Sequence, residues 1–364
     1  MCLSQIPTSS TPSTLQALAT NIESIYSRSR GSSDVLNLSD VYYAFCNDIV
    51  HEYCFGNSAN LLGDLHLAST RRQNVAKVLG GSKFNLHFGW VRDIMRTSRP
   101  VVIGTQVGSI LDRKSSPDET PSIFTHLRDS PYLPTSEKLP QRLEDEATLL
   151  VMAGTYSPML SLMVAHYHLI SRPDIMARLR AELASHPSSV NAAQLEQLPY
   201  ISAVIQESHR LTFGLTGRNP RICPEESVTY TEKNTSDGPK PHTYTIPPGT
   251  SLSTSTLLVH TNESIFPDPW RFDPERWMIT DNPAMLARRR RFMLSFMRGT
   301  RGCLGMHLAD AEMTVAVAAM ARWDMRLYET TEQDVAFCHD YHVMCPRLGS
   351  KGVRVEVRGR AGNE

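Results

Sequence analysis

Apolar positions along the 364-residue chain recur mostly at helical spacing, broken by proline-rich and short alternating segments. Residues 1–12 are polar and rich in Ser and Thr, and an amphipathic helical pattern begins over residues 14–25. A second apolar block covers residues 41–56, and residues 198–211 are again amphipathic. Leu304, Leu308, Ala311, Val315 and Ala318 follow at spacings of four, three, four and three, which is one face of a helix. Residues 147–171 contain no Asp, Glu, Lys or Arg. Such a run is either a membrane span or the central helix of a large soluble domain. Gly154, Thr155, Ser157, Pro158, His166 and His168 inside it favour the central helix.

Strand signals are sparse. Tyr244-Thr245-Ile246 alternates and runs into Pro247-Pro248-Gly249, which predicts a short hairpin. Residues 353–357 alternate as a half-buried strand does. Pro267, Pro269 and Pro274 exclude regular helix or a central strand between Phe266 and Pro274.

Charge and composition narrow the function. The 37 basic and 37 acidic residues balance, so no overall field recruits a nucleic acid. With 41% apolar residues the chain can bury one large core or two smaller ones. Cys2, Cys46, Cys54, Cys223, Cys303, Cys338 and Cys345 are scattered and odd in number, which argues for a reducing compartment and against a disulfide-linked partner. No zinc-ligand spacing or internal repeat is present.

Candidate chemistry concentrates in Phe296-Met297-Arg298-Gly299-Thr300-Arg301-Gly302-Cys303-Leu304-Gly305. One cysteine sits in a glycine-flanked loop where a helix is expected to begin, and a helix N-terminus favours the thiolate. Gly299 and Gly305 allow backbone to approach a flat cofactor, and Arg301 offers a fork of donors to a carboxylate. The pattern Phe-x-x-Gly-x-Arg-x-Cys-x-Gly resembles the haem-ligand loop of cytochrome P-450 monooxygenases. The resemblance implies that Cys303 is the axial ligand of iron in haem b, that Arg301 pairs with a propionate, and that Phe296 packs near the sulfur.

Two upstream motifs stand in the order that family requires. Glu207-Ser208-His209-Arg210 puts Glu207 and Arg210 at i and i+3, on one helical face. Phe272-Asp273-Pro274-Glu275-Arg276-Trp277 follows, with Cys303 27 residues beyond Arg276. By resemblance Glu207, Arg210 and Arg276 form a buried triad that locks the haem-binding core. Arg221, ahead of Arg218, occupies the place of a second propionate-binding arginine, and the segment from Tyr244 is similar to the small sheet on the substrate side.

Ala153-Gly154-Thr155-Tyr156-Ser157-Pro158 resembles the oxygen-binding segment, usually Ala-Gly-x-acid-Thr-Thr. Ala153 and Gly154 match, whereas Tyr156, Ser157 and Pro158 replace the acid and both threonines. Ser157 and Thr155 are the candidates for the distal hydrogen-bond network, and Tyr156 is a poor proton relay at neutral pH. Pro158 is expected to distort the helix where oxygen would bind.

The resemblance implies a fold that is mainly α with small β-sheets (α+β), one haem-thiolate domain over residues 1–364, lacking the family's N-terminal part and membrane anchor. Segments of the tail, among them residues 346–354, are similar to trichodiene-oxygenase-type fungal enzymes of secondary metabolism. The implied function is insertion of one oxygen atom from O2 into a small apolar metabolite, terpenoid or polyketide-like. Electrons come from NADPH through NADPH-cytochrome reductase, on the cytoplasmic side and peripheral to the endoplasmic reticulum. Arg288-Arg289-Arg290-Arg291 is either a solvated charge run or a positive patch for that acidic flavoprotein. Two alternatives stay open, a truncated remnant with impaired haem binding and a redox-neutral haem-thiolate isomerase.

Overall fold

The computed structural model describes residues 11–31, 35–87, 101–113, 116, 119–186, 192–232, 242–278 and 282–362. Cys2 and the polar stretch up to residue 10 lie outside them. The helices are α1 (Thr11–Ser29), α2 (Leu38–Phe55), α3 (Leu65–His87), α4 (Val101–Leu111), α5 (Ile123–Asp129) and α6 (Pro140–Ser171). After them come α7 (Pro173–Leu183), α8 (Ala192–Leu195), α9 (Pro199–Thr212), α10 (Thr256–His260), α11 (Pro283–Phe292) and α12 (Met306–Ala321). The strands are β1 (Leu36–Asn37), β2 (Arg221–Ile222), β3 (Val228–Thr231), β4 (Thr243–Ile246) and β5 (Ser251–Leu252), then β6 (Trp323–Leu327), β7 (His339–Asp340), β8 (Met344–Cys345) and β9 (Arg354–Arg360). All pairings are antiparallel and the sheets are small, so the fold is mainly α with small β-sheets.

α6 is the spine of the molecule. Pro140 sits in its first turn, where a missing N–H costs nothing, and the helix runs unbroken through Pro158. At Pro158 the ring leaves the Gly154 carbonyl without its helical donor, and the helix nevertheless continues to Ser171. By length and hydropathy α6 could cross a membrane, yet more than half of its apolar window is buried inside the protein. α2 crosses it, started by Asn37, whose side chain accepts the Ser39 N–H, and stopped by Gly56 in the left-handed region at φ 77°. Almost all of α2 is buried, including Leu38, Val41, Phe45 and Ile49. Each such side chain contributes about 1.5–3 kcal/mol of transfer free energy.

The main core joins α1, α2, α6, α7, α9, α12 and the inner face of the β1–β9–β6 sheet. In β9 the alternation shows directly, with Val355 and Val357 buried and Arg358 exposed. A smaller cluster, including Val50, Phe55, Val107, Phe124 and Val151, packs α4 and α5 against the other half of α6.

Two expectations change. Residues 244–250 do not close a hairpin on themselves. β4 pairs back to β3 and β5 to β2, nested around a turn in which Gly249 N–H donates to the Cys223 carbonyl. Leu304 belongs to the loop before α12, 70% exposed, while α12 is buried from Glu312 to Ala321.

Candidate active site

The floor of the site is a buried polar knot around Glu207. Its side chain is fully buried, and a buried carboxylate persists only when paired and hydrogen-bonded. Oε1 accepts from Arg210 Nη2 at 2.8 Å, from the Asp273 N–H at 2.9 Å and from Arg276 Nε at 3.3 Å. Oε2 accepts from Arg210 Nε at 2.8 Å and Trp277 Nε1 at 2.9 Å. Arg210 spends its remaining donors on the carbonyls of His260, at 3.0 Å, and of Pro269 and Arg271. Arg276 Nη2 donates to the Asp268 carbonyl at 2.7 Å. The proline-broken segment thus supplies the carbonyls that a regular element would have spent internally.

The cysteine loop docks on this knot. Leu294 N–H donates to His260 Nε2 at 2.9 Å, so the proton of that imidazole is on Nδ1, which donates to the Arg210 carbonyl at 2.9 Å. Burial pulls His260 down to about 4, which keeps it neutral in this double role. Ser295 Oγ donates to the His209 carbonyl at 2.6 Å. At the end of α9, Gly214 has φ +60°, and a Cβ there would lie 2.1 Å from the Ser295 carbonyl oxygen. Only glycine permits this approach.

Within the loop Met297 and Gly299 are left-handed, at φ 58° and 77°. The non-glycine case is the kind of strained backbone that clusters at functional sites. The Cys303 N–H donates to the Phe296 carbonyl at 2.8 Å and closes the turn. Cys303 is exposed and lies three residues before α12, not on its first turn. Its thiol is pushed up by the surrounding protein atoms, more than the Gly305 N–H pulls it down. The expected helix-terminus preference for thiolate is therefore outweighed in this structure. Nothing lies within 4 Å of a Cβ built on Gly299 or Gly305. Arg301 is exposed and has no ion-pair partner among the described residues.

On α6 the sequence candidates separate. Leu149, Met152, Ala153 and Ser157 are exposed along one side of a helix that is otherwise largely buried. Thr155 and Gly154 face α2 instead. Thr155 Oγ1 accepts from Asn47 Nδ2 at 3.0 Å, and a Cβ on Gly154 would come 2.7 Å from Val50 Cγ2. Ser157 and Thr155 thus lie on different sides of α6, and Gly154 packs closely between two helices. The physical reason is the helical turn: successive residues point about 100° apart. Tyr156 is buried and its hydroxyl pushed up to about 12 by burial, so it holds its proton. Arg221 and Arg218 are exposed on the β2 side, with Arg221 Nη1 donating to the Pro220 carbonyl at 3.0 Å. In the arginine run, Arg289 turns inward to the Arg276 carbonyl at 3.0 Å, while Arg288, Arg290 and Arg291 stay exposed.

The exposed Cys303 sulfur, open space over Gly299 and Gly305, an exposed guanidinium and an apolar helix stripe fit an iron porphyrin held from one side by thiolate. The family profile for cytochrome P-450 matches residues 133–346, more than half of the chain. The chain belongs to the cytochrome P-450 family. It is 32% identical to cytochrome P-450 monooxygenase tpcC of Cochliobolus heterostrophus, over 90% of this chain and 67% of that protein. It is 30% identical to monooxygenase astB of Aspergillus terreus, over 89% of this chain and 66% of that one. Monooxygenase TRI4 of Trichoderma arundinaceum is 29% identical, over 92% and 66%. All three relatives are named as cytochrome P-450 monooxygenases. The chain spans about two thirds of the length of these relatives. His260, Trp277 and Ser295 were not legible as site residues. Trp277 adjoins a motif arginine, but His260 stands 50 residues from Arg210, with no local signal.

Proposed function

We propose that this P-450 is a monooxygenase acting on a small apolar secondary metabolite, terpenoid or polyketide-like, with NADPH electrons delivered by a cytochrome reductase. In this reading residues 1–364 act as one haem-thiolate domain at the cytoplasmic face of the endoplasmic reticulum. The observation that carries it is the attachment of the Cys303 loop to the Glu207–Arg210–Arg276 knot through His260 and Ser295. Such a scaffold holds one sulfur at a set height above an open face.

Cys303 would hold haem b, with Arg301 and Arg221 on its propionates, Phe296 beside the sulfur, and Gly299 and Gly305 leaving room for the ring. Bound there, haem supplies activation of O2 for insertion of one oxygen atom into a C–H or C=C bond. Leu149, Met152 and Ala153 present an apolar wall that receives substrate and excludes water. Ser157 Oγ is the exposed hydroxyl in that stripe, able to accept and pass one proton, and it takes the distal role alone. The exposed Arg288, Arg290 and Arg291 suit an acidic reductase surface.

The reduced, carbon-monoxide-bound absorption spectrum tests this reading, with Cys303→Ala as the control. A thiolate-type red-shifted Soret band, lost in the variant, is expected. Absence of haem uptake would support the remnant, and turnover without reductase would support the isomerase.

A further inference from the structure

His209 lies outside the haem-ligand motif and outside the triad, yet it is packed directly behind the cysteine loop. Its ring is buried, with a side-chain exposure of 7%. Nδ1 lies 3.3 Å from Ser161 Oγ, one turn beyond Ser157 on α6, and Nε2 lies 3.1 Å from Asp310 Oδ1 on α12. Ser161 is itself braced by Thr212 Oγ1 at 3.0 Å, and Thr212 donates to the Ser208 carbonyl at 3.0 Å. The edge of the imidazole meets Phe296, with centroids 4.7 Å apart and ring planes at 68°. Phe296 in turn gives its carbonyl to the Cys303 N–H. One side chain therefore touches the spine helix, the helix after the cysteine, and the residue that closes the cysteine turn.

Resting on the haem-thiolate reading above, we propose that His209 is a positioning residue for Cys303. Hydrogen bonds at both ring nitrogens, to Ser161 and Asp310, fix the plane against which Phe296 sets the ligand loop. Partners of this kind orient a ligand that they never touch, and their loss typically costs about 10–100-fold in metal affinity. A leucine at position 209 would fill the space and leave Phe296, Ser161 and Asp310 without their common partner.

The test is haem titration and the carbon-monoxide spectrum of the reduced full chain, for wild type, His209→Leu, Asp310→Asn and Asp310→Leu. Asp310 is 39% exposed at its side chain, so its variants keep the fold, and circular dichroism checks that they do. His209→Leu and Asp310→Leu are expected to weaken haem affinity about 10–100-fold and to lower the share of the thiolate-type band. Asp310→Asn retains an oxygen that accepts the His209 bond and restores the wild-type spectrum. A normal band and affinity in folded Asp310→Leu would overturn the proposal. So would an Asp310→Asn variant as impaired as Asp310→Leu, because bond geometry would not then be the cause. Failure of the haem-thiolate reading looks different: wild type itself would show no thiolate-type band.

Discussion

The two sides of the candidate haem space are built on opposite principles. On the cysteine side, buried polar groups come from four separated segments and are bonded to one another: Glu207 alone accepts five hydrogen bonds. On the α6 side, an apolar stripe lies open and Ser157 is its sole hydroxyl among Leu149, Met152, Ala153 and Ser157. The first arrangement rigidifies, since each partner removed leaves a buried charge or donor unpaired. The second places few demands on fold stability, so its surface can be shaped for substrate. Rigidity where a ligand atom must be placed, and latitude where an apolar molecule must fit, follow from the same energetics.

The hardest blow to that contrast is aimed at the knot. Glu207→Ala leaves Arg210 and Arg276 buried without their anion and is expected to lower stability by about 3–5 kcal/mol, read from denaturant unfolding. A near-wild-type midpoint would mean that the polar side is no more constrained than the open one.

Acid comes next. His260, His51 and His166 are pulled down to about 4 by burial, against a usual value near 6.5. Because the folded state binds their protons less well, their stabilisation is complete above about pH 6.5 and is lost as pH falls toward 4. At pH 5 each costs about 2 kcal/mol, and a melting temperature that falls steeply below pH 6.5 is expected. Buried Glu312 acts oppositely: burial raises it well above the usual carboxylate range. Its neutral form suits the fold, so its share of stability declines as pH rises above about 4.5.

Gly214→Ala tests the docking of the loop, since the added methyl meets the Ser295 carbonyl. A loss of at least about 1–2 kcal/mol is expected, together with weaker haem uptake. On α6, Thr155→Val removes the acceptor for Asn47 and should cost about 1–2 kcal/mol with the spectrum intact. Ser157→Ala is the smallest change in stability, within about 0.5 kcal/mol, but should lower product formed per NADPH consumed. If the two α6 variants exchanged these effects, the division of that helix into packed and open faces would be wrong.

Much of the ligand side was legible because its chemistry is local. The loop from Phe296 to Gly305 and the pair Glu207–Arg210 sit within single turns, so residue type and spacing carry the message. The small sheets were half legible: alternation located β4 and β9, but not that β4 pairs with β3 rather than closing on itself. Pairing partners are a matter of chain path, which no local period records.

What the sequence determined by itself was several of the helices, among them α1, α6, α9 and α12, the family and the cysteine that could hold iron, each set by short-range pattern. Which hydroxyl of Thr155 and Ser157 faces the open side was decided only when α2 packed against α6 and claimed Thr155 and Gly154. The tertiary structure likewise decided that His209, Ser161 and Asp310 meet. They lie 48 and 101 residues apart along the chain, and only the packing of three helices brings their polar atoms within hydrogen-bonding distance.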